Sequence, residues 1–219
     1  MDIEARIDEV MRASYGRLLA ILSSRTGDIL AAEDALAEAF AAALAKWHNE
    51  LPDNPEAWLL TVARNRLTDI KRRDARIEYR DELPEPVQAE PVPHGIPDDR
   101  LKLMFVCAHP AIDARIHTPL MLQTEMGLEA DVIAHAYLLP PSAKAQRQVR
   151  AKRKIRDAAI AFQIPDAQDL PPRNSSELEA IYGAFSRDWL GEDTLAEEAF
   201  FLAALLADLM PDDPEVLGL

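Results

Sequence analysis

Cysteine is almost absent from this chain: Cys107 is the only one among 219 residues. A single thiol excludes an internal disulfide framework and suits a reducing compartment, so a cytoplasmic location is expected. Glycine is scarce too, at seven residues. No P-loop, dinucleotide fingerprint or Gly-x-Ser-x-Gly elbow occurs, which removes the commonest phosphate cradles and nucleophile turns. Aromatic residues make up only 6%, while alanine is abundant, a balance that favours helices over strands. No apolar run approaches the roughly 20 residues a membrane helix needs. The opening "MDIEARIDEV" is charged and lacks the apolar core of a signal peptide. A soluble protein with no membrane association is expected.

Chemistry-bearing constellations are equally thin. The acid pairs Asp98-Asp99 and Asp212-Asp213 are neighbours in sequence and do not face each other across a cleft; helix capping suits the first pair better. Cys107 and His109, with His94 and His117 further off, match no zinc spacing. The sequence therefore predicts a protein that is not an enzyme and uses no cofactor and no metal.

What the chain does have is charge, unevenly spread. The formal net charge is −14. From Gln163 onward there are 13 acids and two arginines, so the tail alone carries −11, and residues 1–162 only −3. Within those 162 residues, Arg64 to Arg80 hold seven cations against three acids, and Lys144 to Arg156 hold seven cations and no acid. Two short windows thus contain 14 of the 24 basic residues. Such asymmetry points to polyanion binding by local patches on an otherwise acidic protein.

Hydrophobic spacing predicts an all-α chain. Apolar residues at Ile3, Ile7, Val10, Leu18, Ile21 and Leu22 predict a helix over 3–26, and "RTGD" breaks it. A second helix over 29–47 buries a stripe of Leu36, Ala39, Phe40, Ala43, Leu44 and Trp47 at helical spacing and carries Asp34 and Glu38 as an acidic ridge on the other side. After "HNELPDNP", Asn54-Pro55 reads as an N-cap with proline at the first helical position. The helix from there to about 76 buries Leu59, Ala63, Leu67 and Ile70 and shows cations elsewhere. Residues 77–97, rich in proline and glutamate, read as an extended linker. A second helical unit follows over 98–162, with a short helix in "TPLMLQTEM" and a long basic helix after "PPSAK". Helix, turn and basic helix in that order have the shape of a helix-turn-helix. A second Pro-rich link, "QIPDAQDLPPRN", precedes an acidic helical tail whose apolar stripe is Leu195, Ala199, Leu202, Leu206 and Leu209.

The basic helix admits three explanations. A solvated face interleaves both signs, which residues 144–156 do not. A membrane-surface helix needs large apolar residues on its other side, and Ala145, Val149 and Ile155 are too little. Nucleic-acid binding remains. Asp34 and Glu38, by contrast, are a pair that any solvated helix can carry. Trp47 and Trp58 bracket the proline loop either as core residues or as a receiver for an unstacked base.

These segments together resemble a known family. "AEDALAEAFAAALAKW" with "PDNPEAWLLTVARNRLTDIKRR" resembles domain two of bacterial extracytoplasmic-function (ECF) sigma factors. "IPDDRLKLMFVCAHPAI" and "QRQVRAKRKIRDAAIAF" look like their domain four, in the subgroup with a C-terminal helical, TPR-like extension, and "LMPDDPEVLGL" looks like the start of that extension. The resemblance implies domain two over 1–76, a linker over 77–97, a helix-turn-helix domain four over 98–162 and an extension over 163–219. It implies that core RNA polymerase is the partner, through the β′ clamp helices and the β flap, with Asp34 and Glu38 as the core-binding ridge. The loop 48–56 would hold a flipped base of the minus-ten element, and Arg64, Arg66, Lys71, Arg72 and Arg73 would contact the strand. The helix from 141 would enter the minus-thirty-five element, with Lys144, Arg147 and Arg150 on bases or phosphates and Lys152, Arg153 and Lys154 on phosphates.

The chain departs from the family where Lys144 and Gln148 replace apolar residues, where Val132 replaces an acid, and at Pro119. These departures predict an altered groove contact. Two other readings stay open: a sigma-like regulator that binds polymerase or another sigma factor without reading a minus-thirty-five element, and a stand-alone helix-turn-helix repressor. The acidic tail could also fold back on the basic helices and regulate them within the chain.

Overall fold

The structure is a computed structural model. It describes residues 3–47, 51–78, 97–128, 132–133, 141–165, 171–187 and 195–218. Among them every regular element is a helix. In chain order these are α1 (Ile3–Thr26), α2 (Ile29–Lys46), α3 (Pro55–Glu78), α4 (Pro97–Cys107), α5 (Ala114–Thr124), α6 (Pro141–Asp157), α7 (Pro171–Arg187), α8 (Leu195–Leu209) and the single turn α9 (Pro214–Leu217). The expected linker lies mostly outside the described residues, and so does most of the first helix of the expected helix-turn-helix. Of that helix, Val132 and Ile133 are helical and Ile133 is buried.

Local chemistry sets the ends of the first helices. Gly27 takes a φ of 70° and its N–H returns to the Ser23 carbonyl at 2.8 Å, the left-handed closure that glycine permits without a Cβ clash. Asp28 then caps α2, accepting from the N–H groups of Leu30 at 3.0 Å and Ala31 at 3.2 Å. Asn54 does the same for α3, accepting from Ala57 N–H at 3.0 Å, so proline falls at the first helical position, where no N–H is needed.

Helices α1, α2 and α3 pack on one another around Leu18, Leu19, Leu22, Leu36, Leu59 and Leu60, all at most 2% exposed. Alanines at 32, 35, 39 and 43 of α2 are fully buried and let the helix axes approach closely. Trp47 is buried and meets Trp58 edge-on at 5.1 Å between ring centroids. The expected α2 stripe needs one correction: Leu44 is 50% exposed.

Helix α4 is apolar around its whole circumference from Leu103 to Cys107, and each of these residues is buried. A helix of that kind must be covered on every side. Helix α1 covers α4 from one side, α5 lies beside it, and α7 and α8 pack on it as well. Arg100, on the same helix, is also buried, ion-paired to Glu125 at 3.5 Å and lying under the Phe201 ring at 5.5 Å. Asp99 corrects the capping expectation. It sits inside the first turn of α4, accepts from the Ser24 hydroxyl of α1 at 3.0 Å and pairs with Lys102 at 3.1 Å.

Helix α5 starts earlier than expected because Asp113 caps it, accepting from Arg115 N–H at 3.1 Å. It continues through Pro119, in the middle of the helix, where proline leaves one intrahelical bond unmade and its ring crowds the carbonyl four residues before it. In the tail, "PPRN" is the first turn of α7 rather than a link, another case of proline at a helix start. Ala199, Leu202, Leu206 and Met210 form the buried stripe of α8 and its end. Helix α7 packs on α5 through Thr118, whose hydroxyl donates to Glu179 at 2.9 Å.

Candidate nucleic-acid interface

Helix α3 brings its cations to the side of the first unit. Arg64 is half-buried, and Arg66 reaches back to α2, its Nε 2.6 Å from Glu38 Oε2. Arg72 is exposed. The side chains of Lys71 and Arg73 lie outside the described residues. On α2, Asp34 and Glu38 are both exposed, as the spacing predicts. The residue expected in the ridge, Glu38, and the residue expected on DNA, Arg66, are therefore partners of each other in this structure. The pair is solvent-accessible and contributes at most about 1 kcal/mol.

Helix α6 divides its cations three ways. Arg147, Arg150 and Arg153 point to solvent. Lys154 donates through Nζ to the carbonyl of Ala111. Lys152 differs from the expectation of a phosphate contact. It is 3% exposed, with Nζ 2.5 Å from Glu33 Oε1 of α2 and 3.0 Å from Gln123 Oε1 of α5, so it cannot reach a phosphate in this arrangement. Arg156 also turns to α2, 3.7 Å from Asp28, and holds Asp157 at 2.8 Å. The side chain of Lys144 lies outside the described residues. Gln148 is 2% exposed and donates to the Pro119 carbonyl at 2.9 Å, which ties two of the sequence's four departures to each other.

A cleft of about 320 Å³ opens between the start of α5 and α6, with Asp113, Arg115, Arg147, Arg150 and Lys154 on its walls and Ile112 among its apolar residues. Arg115 grips Asp113 with two bonds, of 3.1 and 3.0 Å, and the guanidinium holds that carboxyl below the usual carboxylate range. The one acid of the cleft is thus matched, and the surplus is cationic. An open, cationic groove with an apolar floor fits a phosphodiester backbone.

The inward face of α6 was not visible as a pattern. Gln148, Ala151, Lys152 and Ile155 are the buried positions, at helical spacing, but two of the four are polar and escape a search for apolar periodicity. The signal that could have found Lys152 is the absence of acids around it: a helix with seven cations takes its counter-charges from elsewhere in the fold, here Glu33 and Asp28.

Of the residues named as metal ligands, His94 lies outside the described residues, and His109, His117 and Cys107 have other partners. His117 joins the Ile112 carbonyl at 3.1 Å and the Ser176 hydroxyl at 3.4 Å, and His109 Nδ1 accepts from Ala111 N–H at 3.1 Å. Among the described residues no three His, Cys, Asp or Glu side chains form a metal-ready group. No described helix is long and apolar enough to cross a membrane. Burial pushes the Cys107 thiol up, with its Sγ 3.6 Å from the Thr124 hydroxyl. In the native protein this thiol is expected to react with a disulfide reagent about 100-fold or more slowly than in denaturant; labelling at equal rates in both states would show that Cys107 is accessible.

Residues 10–77, the unit built by α1 to α3, match the Sigma-70 region 2 family. The chain is also 34% identical over 205 aligned residues to an uncharacterized protein of Rhizobium meliloti (strain 1021), an alignment that covers 86% of this chain and 48% of that protein. The chain therefore spans about half the length of the curated relative it matches. No solved structure matches the chain.

Proposed function

We propose that the chain is an RNA polymerase sigma factor of the extracytoplasmic-function type, a non-enzymatic subunit that directs core polymerase to promoters in the cytoplasm. The observation that carries this reading is the Sigma-70 region 2 match over residues 10–77. It coincides with the three-helix unit that exposes an acidic ridge on α2 and cations on α3. In this reading Asp34 and Glu38 dock on the β′ clamp helices. Arg64, Arg66, Lys71, Arg72 and Arg73 engage the minus-ten strand. The second unit, from α4 to α6, serves as domain four, meeting the β flap and presenting Arg147, Arg150, Arg153 and Lys144 to minus-thirty-five DNA. Helices α7 to α9 are the C-terminal extension. Their contact with α5 through Thr118 and His117 gives the extension a route to influence domain four.

An acidic free chain is repelled by DNA, whereas inside polymerase its two cationic helices are held against the duplex at high effective concentration. The test is reconstitution with core polymerase and transcription from genomic fragments. Specific transcripts starting at discrete sites are expected. Tight core binding without specific transcripts would favour a second reading, a sigma-like regulator that lacks minus-thirty-five readout. The inward-facing Gln148 and Lys152 favour that reading. Sequence-specific DNA binding with no core would favour a repressor.

A further inference from the structure

The loop between α2 and α3 is fastened on both sides. Before it, Trp47 is buried and meets the Trp58 ring edge-on at 5.1 Å, and Lys46 lies over the same ring at 5.7 Å. Leu51 packs on the core from within the loop. After it, Glu56 stands in the first turn of α3 and reaches across to α1. The Ser14 hydroxyl donates to Glu56 Oε1 at 3.0 Å, and the Arg17 guanidinium is ion-paired to Oε2. Ser14 is 2% exposed, so the carboxylate is held against the edge of the three-helix core. Between these fastenings Asp53 and Asn54 are exposed.

The Arg17–Glu56 pair also sets the charge at the end of α3. An acid in a first helical turn suits the helix dipole, but here it follows a second carboxylate, Asp53, three residues earlier. Arg64 lies on the same helix, eight residues on from Glu56, about 12 Å along the axis at ~1.5 Å per residue. That is comparable with the roughly 10 Å over which exposed charges act at 0.1 M salt. A strand engaged by Arg64 therefore feels the charge at the start of α3. Uncompensated, the Glu56 carboxylate repels its phosphates. Arg17 cancels that charge at contact, and the two side chains are 33% and 34% exposed, so the pair borders solvent. The cation comes from α1, a helix with no other part in reading the strand.

We propose that Arg17 is a positioning residue for the minus-ten strand: acting through Glu56, it holds the loop at the start of α3 and removes a negative charge from the path of the DNA. This rests on the sigma reading. A pair that only staples α1 to α3 behaves differently in one respect. If Arg17 acts on charge, removing it leaves the Glu56 carboxylate facing the strand, and neutralising that carboxylate as well repairs the defect. If the pair is only a staple, the second substitution repairs nothing, because the bond is already lost. Glu56→Gln is the suitable partner change, since the amide oxygen still accepts from Ser14.

The test compares Arg17→Ala, Glu56→Gln and the double variant with the native chain. In the free chain, hydrogen exchange is read at the Ala57 and Trp58 amides, which bond to Asn54 at 3.0 and 3.2 Å. Exchange at both is expected to be about fivefold faster in Arg17→Ala, with the thermal midpoint within about 4 °C of native. Unchanged exchange would show that Arg17 does not hold the loop, whatever the chain does in transcription. With core polymerase, on a promoter fragment that the native holoenzyme transcribes, opening is read by permanganate reactivity of unpaired thymines. Arg17→Ala is expected to slow opening about tenfold, Glu56→Gln no more than about twofold, and the double variant to recover to within about threefold of native. Core affinity is expected to stay within about twofold throughout, because Asp34 and Glu38 are untouched. Equal losses in Arg17→Ala and the double variant, or core affinity falling in step with opening, would overturn the proposal and leave the sigma reading in place. A native holoenzyme that starts no specific transcript would remove the sigma reading and the charge role of Arg17 with it, while hydrogen exchange would still decide whether Arg17 holds the loop.

Discussion

Replacing Glu125 by alanine is expected to lower the stability of the fold by about 3–5 kcal/mol, read as a fall of roughly 1–2 M in the urea midpoint. Glu125 and Arg100 are 2% and 3% exposed and lie 3.5 Å apart. Glu125 is the C-cap of α5, where the helix dipole disfavours a carboxylate, so the guanidinium offsets both the dipole and the burial. Arg100 also lies beneath Phe201 of α8. Truncating the acid takes a counter-charge away from a buried cation that connects α4 and α8, a damaging way to break an ion pair. The control is the paired change Arg100→Met with Glu125→Leu, which removes both charges and keeps volume. It is expected to recover most of the loss. A cost below about 1 kcal/mol for Glu125→Ala would mean that water screens the pair and that it behaves like a surface bridge.

The helices whose boundaries were legible are those whose ends are fixed by neighbours in sequence. The Gly27–Asp28 turn and the Asn54–Pro55 cap are local devices, and α1, α2 and α3 stop and start within one or two residues of where spacing and caps put them. The start of α7 reads as a link in the sequence because two prolines and an asparagine look like a turn, although proline is tolerated in a first helical turn. The site divides along the same line. Exposure of Asp34, Glu38, Arg147 and Arg150 follows from helical phase alone. Burial of Lys152 does not, because its partner Glu33 is 119 residues away and only the tertiary fold brings them together. Gly16 is the extreme case. A glycine inside a helix is a mild cost in sequence terms; its reason is a carbonyl contributed by Glu125, on the far side of the linker. Contacts between the α1–α3 unit and the helices that follow it are thus the part of the molecule that no local rule could give.

The charge-reversing double substitution Asp34→Arg with Glu38→Arg is expected to weaken binding to core polymerase about 30-fold or more, roughly 2 kcal/mol, with little change in folding. Both carboxylates are exposed on α2, away from its buried stripe of Ala32, Ala35, Leu36, Ala39 and Ala43, so the core of the unit is untouched. Reversal changes the sign of the field at the ridge and not only its strength, and like-charge juxtaposition across an interface costs several kcal/mol when the partner is cationic. Glu38 needs its own control, because Glu38→Arg also faces Arg66, now 2.6 Å from the native carboxylate. Glu38→Gln frees Arg66 without repelling it. If polymerase reads the charge of the ridge, Asp34→Arg alone weakens binding substantially and Glu38→Gln only slightly. If Glu38 instead serves to hold Arg66 for the DNA strand, Glu38→Gln leaves core affinity intact and alters promoter opening, measured by permanganate reactivity of unpaired thymines. Both carboxylates would leave the polymerase interface if the double variant bound core as tightly as the native chain, and the sigma reading would then need another docking face on α1 to α3.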